Sequence, residues 1–245
     1  MSDCTKLNPS DKAVLKEDNR SVKAIIGPGT GLGQALLAKS SGDLYETFPA
    51  EGGHVDFSVK NIEDWQLSEF ARKFIETSNN IENQKCKRKV DRLSVESLCA
   101  GPAIPLIYQF YKEKYPQMEA VLEKDSEYGK AKQFDEIISK DIIDMAMKHN
   151  DPLCKKVVEK FTENLGTETG NLALKSMPFG GIYLIGGVTA GIQDYLKTNK
   201  KFMEAFCNKG RCSNLMEQFQ VLLVDPKIEI GLLGAEERAR RELLK

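Results

Sequence analysis

Short apolar runs between turn signals predict the strands of this chain. Five such runs are bounded by glycine or polar residues: 22–26, 34–38, 44–48, 181–187 and 220–224. Runs of this length between turn residues are typical of buried strands. The first two flank a glycine-rich segment at 27–33, so we expect them to form a hairpin across it.

Helical periodicity dominates the rest of the chain. Apolar residues recur at helical spacing in 61–77, 94–100, 102–114, 135–149, 152–173, 194–206 with a break near Asn199, and 231–244. Asn61 can cap the first of these helices, and Asp151-Pro152 can open the long one at 152. Segments 1–20, 79–92 and 115–132 are predicted connections, with a short helix or strand at 13–16. Since strands and helices alternate in the second half, the fold class is α/β.

The hairpin turn is rich in glycine, with the sequence Gly-Pro-Gly-Thr-Gly-Leu-Gly at 27–33. Backbone amides in such a segment can line an anion-binding concavity, for which phosphate is a common ligand. No Gly-Lys-Ser/Thr follows, and Gln34 stands where a dinucleotide-binding glycine motif needs its third glycine. Two interpretations stay open from the residues alone, a phosphate-binding loop and a glycine-rich turn between strands.

A second cluster of polar residues lies about twenty positions later. The segment Glu-Gly-Gly-His-Val-Asp-Phe at 51–57 brings two carboxylates and an imidazole close together around a glycine pair. Carboxylates accept hydrogen bonds and imidazole can donate or accept. This combination suits a ligand rich in hydroxyl groups.

These segments together resemble the bacterial-type glucokinases of the hexokinase–actin-like ATPase (ASKHA) superfamily. Further matches follow in the order of the family: 94–97 with Gly101-Pro102, 170–174, 180–188 and 231–235. The resemblance runs from about Leu7 to the C-terminus. It implies a single ASKHA lobe, which is ribonuclease H-like, with a mixed five-stranded sheet and flanking helices. In this interpretation 1–20 is a polar N-terminal segment and 21–245 is the large lobe.

The resemblance also implies the ligands and the residues that contact them. The family phosphorylates glucose to glucose 6-phosphate with ATP and Mg²⁺. Residues matching its glucose-binding positions are Glu51, His54 and Glu96. Residues matching its nucleotide-binding positions are Gly29, Thr30, Gly31, Gly186 and Gly187. Without the family, each has a structural interpretation; Gly186 and Gly187 in particular could be a plain turn at a strand end.

The catalytic base of the family has no counterpart in these 245 residues. The base lies in a small N-terminal lobe with an Asp-x-Gly-Gly-Thr loop and an Asn-Asp pair. This sequence has no Asp-x-Gly-Gly, and its only Asn-Asp is Asn150-Asp151, at a different position. No catalytic residue and no metal ligand is therefore predicted. Two hypotheses follow: part of a working hexose kinase, as a fragment or half of a split enzyme, or a pseudoenzyme serving as a structural or regulatory subunit.

The last helix carries an apolar stripe that the family packs on its small lobe. The stripe comprises Leu232, Ala235, Ala239 and Leu243. Uncovered apolar surface of this kind usually marks an interface. We expect this stripe to meet a protein partner or a second copy, or to fold back on its own lobe.

Composition narrows the class of protein further. The formal net charge is −1, which gives no sign of a nucleic-acid or membrane surface, and no apolar run approaches the roughly 18 residues of a membrane span. The six cysteines are scattered and there are only two histidines, a distribution that argues against a zinc site. Scattered cysteines are typical of a protein in a reducing compartment. The expected location is cytoplasmic, with a mitochondrial one left open.

Two other protein classes fit the residues less well. A dinucleotide-binding Rossmann protein is disfavoured because a strand follows the glycine turn, and a sugar-responsive repressor because no helix-turn-helix segment precedes the lobe.

Overall fold

The computed structural model describes residues 3–8, 12–15, 21–39, 44–82, 90–118 and 138–243. Their centre is a mixed six-stranded sheet with the strand order β1-β6-β5-β2-β3-β4. The strands are β1 Cys4–Lys6, β2 Lys23–Pro28, β3 Leu32–Lys39, β4 Tyr45–Ala50, β5 Ile182–Leu184 and β6 Val221–Val224. Helices flank this sheet, so the predicted α/β class is confirmed.

The predicted hairpin is present. Strands β2 and β3 pair antiparallel, and Pro28 is opposite Leu32, which leaves residues 29–31 as the turn. Strand β4 continues the antiparallel meander on the far side of β3. On the other side, β5 pairs parallel with both β2 and β6. The glycine turn therefore lies at the end of a central strand.

Ten helices connect and cover the described strands. They are α1 Ile62–Glu82, α2 Glu96–Cys99, α3 Ala103–Lys114, α4 Ser139–Lys148, α5 Pro152–Ser176, α6 Gly187–Gly191, α7 Gln193–Thr198, α8 Lys201–Cys207, α9 Ser213–Met216 and α10 Ile230–Leu243. Both predicted caps form. Asn61 Oδ1 accepts from the Asp64 amide at 2.8 Å, and Asp151 Oδ1 accepts from the Cys154 amide at 2.8 Å.

Helix α5 is the centre of the helical layer, and it packs against α3, α4 and α8. The predicted inward residues of α3 are all buried: Ile104, Ile107, Tyr108 and Tyr111. One ion pair lies inside this layer, where Lys160 on α5 donates to Asp64 on α1. Both side chains are buried, and each has a second charged partner, Glu163 for Lys160 and Lys60 for Asp64. The pair fixes α1 against α5.

Several boundaries differ from the sequence-based predictions. The sheet has six strands rather than five, because residues 4–6 of the polar N-terminal segment pair with β6. Helix α1 extends through Glu82, into the predicted connection 79–92. The predicted strand 181–187 is shorter, since the backbone turns at Gly186 and enters α6. Residues 13–15 form neither helix nor strand, and most of the predicted connection 115–132 lies outside the described residues.

Two further observations concern the thiols and membrane-spanning helices. Cys207 and Cys212, the closest cysteines in sequence, are both free thiols. Across the described ranges, none of the helices combines the length and apolar character that crossing a bilayer requires.

Candidate functional site

Glu96 lies where the two glycine-containing segments meet. Its Oε2 accepts a hydrogen bond from the Leu32 amide at 2.7 Å, at the start of β3. A methyl group built on Gly31 would come within 2.5 Å of the same oxygen, and one built on Gly53 within 3.4 Å. The carboxylate is therefore enclosed between the hairpin turn and the 51–57 segment, with little room on either side.

The 51–57 segment begins with a single 3₁₀ turn, Gly52–His54. The His54 amide donates to the Glu51 carbonyl at 3.0 Å, and the Val55 amide donates to Gly52 at 3.3 Å. The turn brings His54 Nε2 to 3.7 Å from Glu51 Oε2. Both side chains are accessible, with 58% of the imidazole side chain and 91% of the carboxylate side chain exposed. The structure thus groups Glu51 with His54 and places Glu96 beside the same turn.

Backbone pairing ties this turn to the segment that carries Glu96. The Phe57 amide donates to Leu93 and the Val95 amide donates to Val55, both at 2.9 Å. Arg92 adds a side-chain link, because its Nη1 donates to the His54 carbonyl at 2.8 Å and to Asp56 at 3.1 Å. Sequence analysis did not single out Arg92; its basic side chain two residues before Ser94 was the only signal.

The hairpin turn itself is held by its own backbone and by the start of α3. The Gly29 amide donates to the Gly31 carbonyl at 2.8 Å, and the Gly29 carbonyl accepts from the Gly101 amide at 2.7 Å. Gly29 thus has both its backbone groups occupied. Thr30 is exposed at the tip, and no hydrogen bond occupies its amide or that of Gly31 within the part of the chain described here. Among the three residues of this turn, the amides without a hydrogen bond are therefore those of Thr30 and Gly31.

A second glycine pair packs beside this turn. Gly186 has φ = 99°, which favours glycine, and a methyl group there would lie 2.6 Å from the Pro28 carbonyl. The predicted strand-end turn is thus present, and it abuts the end of β2. A cavity of about 250 Å³ opens next to it, lined by Gly186, Gly187, Thr189, Asp225 and Ile228 among others.

Thr30 and Glu96 share another cavity, of about 290 Å³. Its other lining residues come mainly from α2 and the start of α3, including Ser97, Ala100 and Pro102. The tip of the hairpin and the enclosed carboxylate therefore face one common space. Phe74, Ile75, Ala103 and Leu106 also line this space, so most of its lining residues are apolar.

The Asn150-Asp151 pair has a structural role. Asp151 is buried and caps α5 through the Cys154 amide. The pair thus starts a helix.

Comparison with known proteins identifies the family. The sequence model described as "Glucokinase" matches residues 3–242. The chain belongs to the glucokinase family. A glucokinase from Synechocystis sp. is 33% identical over 242 residues, covering 94% of this chain and 62% of that relative.

Solved structures show the same fold. A glucokinase from Balamuthia mandrillaris in complex with glucose matches with a TM-score of 0.73 at 19% identity, covering 98% of this chain and 59% of that one. A ROK family glucokinase from Streptomyces griseus, in complex with glucose and AMPPNP, matches with a TM-score of 0.61 at 19% identity, covering 92% and 62%. This glucokinase-family chain thus spans about three fifths of the length of such relatives.

The enclosure of Glu96 gives a direct test with a matched control. We expect Gly31→Ala to lower the free energy of unfolding by about 1–3 kcal/mol, because the new methyl group overlaps the Glu96 carboxylate. Gly29→Ala should stay close to the unsubstituted chain, since no atom lies within 4 Å of its added methyl group. Urea unfolding of the ligand-free chain measures both. Equal effects of the two substitutions would contradict the geometry described for Glu96.

Proposed function

We propose that this chain forms the glucose- and ATP-binding lobe of a glucokinase, which transfers a phosphoryl group from ATP to glucose and yields glucose 6-phosphate. In this proposal the lobe comprises residues 21–245 together with β1. The observation that carries it is the position of Glu96 between the hairpin turn and the turn with Glu51 and His54, in a chain of the glucokinase family.

The glucose site in this proposal consists of Glu51, His54 and Glu96. One oxygen of Glu96 is committed to the Leu32 amide, which fixes the carboxylate and leaves its other oxygen for a sugar hydroxyl. Glu51 and His54 are exposed on the neighbouring turn and can accept from further hydroxyls. A site that hydrogen-bonds hydroxyls in this way discriminates strongly against analogues that lack them.

The nucleotide site in this proposal lies on the two glycine segments. The amides of Thr30 and Gly31 and the Thr30 hydroxyl would bind phosphate oxygens, with Gly29 shaping the turn. Gly186, which abuts the end of β2 before that turn, and the adjacent Gly187 would contact the nucleoside side of ATP. ATP would enter as its Mg²⁺ complex. The Streptomyces griseus structure, a complex with glucose and AMPPNP, supports the pairing of these two ligands on the fold.

The catalytic base in this proposal comes from residues outside these 245. Proton removal from the sugar hydroxyl needs a group within hydrogen-bond reach of it. Asp151, in the only Asn-Asp pair of the sequence, is buried at the start of α5 and is occupied by its capping contact. The isolated chain would therefore bind its ligands and turn glucose over negligibly.

The last helix supplies the contact with whatever completes the lobe. Helix α10 has no buried residue along its described length, and the side chains of Leu232, Leu233 and Leu243 are exposed by 68%, 55% and 87%. The predicted stripe therefore does not fold back on its own lobe in this structure. We propose that the small lobe of the kinase covers this stripe.

A pseudoenzyme that uses this helix to join a larger assembly is the second candidate, favoured by the same exposed stripe. We propose a cytoplasmic location for the chain under both candidate functions.

Glucose binding tests the assignment of the site. We expect the 245-residue chain to bind glucose, and Glu51→Gln to weaken binding by about tenfold, since a hydrogen bond to a charged group contributes about 1.5 kcal/mol or more. Glu46 is another exposed carboxylate, which lies on β4. Glu46→Gln is the matched control and should leave the affinity unchanged. Isothermal titration calorimetry measures all three. Equal affinities for Glu51→Gln and the unsubstituted chain would contradict the assignment.

Reconstitution distinguishes the kinase from the pseudoenzyme. We expect the separately produced small lobe of the Synechocystis glucokinase to bind this chain and to yield ATP-dependent formation of glucose 6-phosphate. Leu232→Asp should abolish the association, because it places a charge within the apolar stripe. Glu236→Gln on the same helix is the control. Association without turnover would favour the pseudoenzyme.

A further inference from the structure

A buried polar chain lies directly beneath the turn that carries Glu51 and His54. Gln34 is on β3, where it pairs with Ala50, the residue before Glu51. The residue is buried, with a relative exposure of 9%, and its Nε2 donates to Glu168 Oε1 on α5 at 2.9 Å. Glu168 is also buried. A buried carboxylate without partners would be costly, so this contact fixes both side chains.

The other end of the Gln34 carboxamide faces the turn. A methyl group built on Gly52 would overlap Gln34 Oε1, so the backbone of Gly52 rests directly on the carboxamide. Gly52 is the first residue of the 3₁₀ turn and directly follows Glu51. The height of this turn above the sheet is therefore set by where the Gln34 side chain lies.

Glu168 is fixed in turn from the opposite side. Asn171 Nδ2 donates to Glu168 Oε2 at 3.0 Å, and Lys209 Nζ donates to Asn171 Oδ1 at 2.7 Å. Lys209 also donates to the Thr167 carbonyl at 2.9 Å. Helix α5 also contacts the helix that begins at Glu96, because Asn164 Nδ2 donates to the Leu98 carbonyl at 3.1 Å.

We propose that Gln34 and Glu168 are positioning residues of the sugar-binding turn: Glu168 orients the Gln34 carboxamide, and the carboxamide supports Gly52 and so places Glu51 and His54. The proposal rests on the assignment of those two residues to glucose. Neither Gln34 nor Glu168 touches the sugar in it. They act through a contact with the backbone of Gly52, where the three atoms nearest to an added methyl group all belong to Gln34.

Hydrogen exchange of the ligand-free 245-residue chain tests the support of the turn without any sugar. The reporters are the amides of His54 and Val55, which close the 3₁₀ turn. We expect Gln34→Ala and Glu168→Ala to speed exchange at both amides by about five- to tenfold, as for the loss of one buried hydrogen bond. Glu168→Gln keeps an acceptor for Gln34 Nε2 and should exchange more slowly than Glu168→Ala, with only partial restoration because its amide nitrogen then faces the Asn171 Nδ2 donor. Thr169→Val, one position along α5, removes only a local bond to Leu165 and is the matched control.

Ligand affinities then separate positioning from general weakening. In Gln34→Ala and Glu168→Ala, the dissociation constant for glucose should rise about tenfold, while that for AMPPNP stays within about twofold of the unsubstituted chain. Unchanged exchange at His54 and Val55 in both alanine variants would overturn the proposal, as would equal losses of glucose and AMPPNP affinity. Absence of glucose binding by the unsubstituted chain would instead overturn the proposed function, while the exchange rates would still decide whether Gln34 and Glu168 support the turn.

Discussion

The hydrogen bond from the Leu32 amide to Glu96 holds together the hairpin turn, the start of α2 and the turn with Glu51 and His54. It joins the start of α2 to the first residue of β3, immediately after the glycine turn. A bond from an amide to a carboxylate is stronger than one between neutral groups, and this one is partly shielded from water. Because Gly31 and Gly53 enclose the same oxygen, a shift of Glu96 would displace the hairpin turn and the Glu51–His54 turn together.

The sheet explains why these turns meet at all. Strands β2 and β5 run parallel and end side by side, so the turn after β2 and the entry to α6 after β5 lie at the same edge. The antiparallel partner β3 starts at that edge, and β4 returns to it to deliver Glu51. Helix α5 packs behind the sheet and carries both Lys160, which pairs with the buried Asp64, and Glu168, two turns further along, which contacts Gln34.

Local patterns predicted most of the elements but not the contacts between them. The glycine hairpin, the capping by Asn61 and Asp151, and the break near Asn199 follow from signals within a few residues, so the sequence contained them. Strand β1 could not be predicted, because three mostly polar residues become a strand only through pairing with β6, more than two hundred positions away. The spacing within 51–57 already grouped Glu51 with His54, whereas Glu96 was added to them by the family resemblance alone. Gln34 counted in the sequence only as a missing glycine, and its contact with Glu168 is a tertiary feature without a local signal.

The most direct test of the account is a crystal structure of the 245-residue chain grown with saturating glucose. The account predicts a sugar bound between the two turns, with hydroxyl oxygens about 2.5–3.0 Å from the carboxylate oxygens of Glu51 and Glu96 and a further hydroxyl within hydrogen-bond distance of the His54 imidazole. Sugar bound at another surface, or a site that stays without sugar at saturation while the two turns keep the geometry described above, would contradict it.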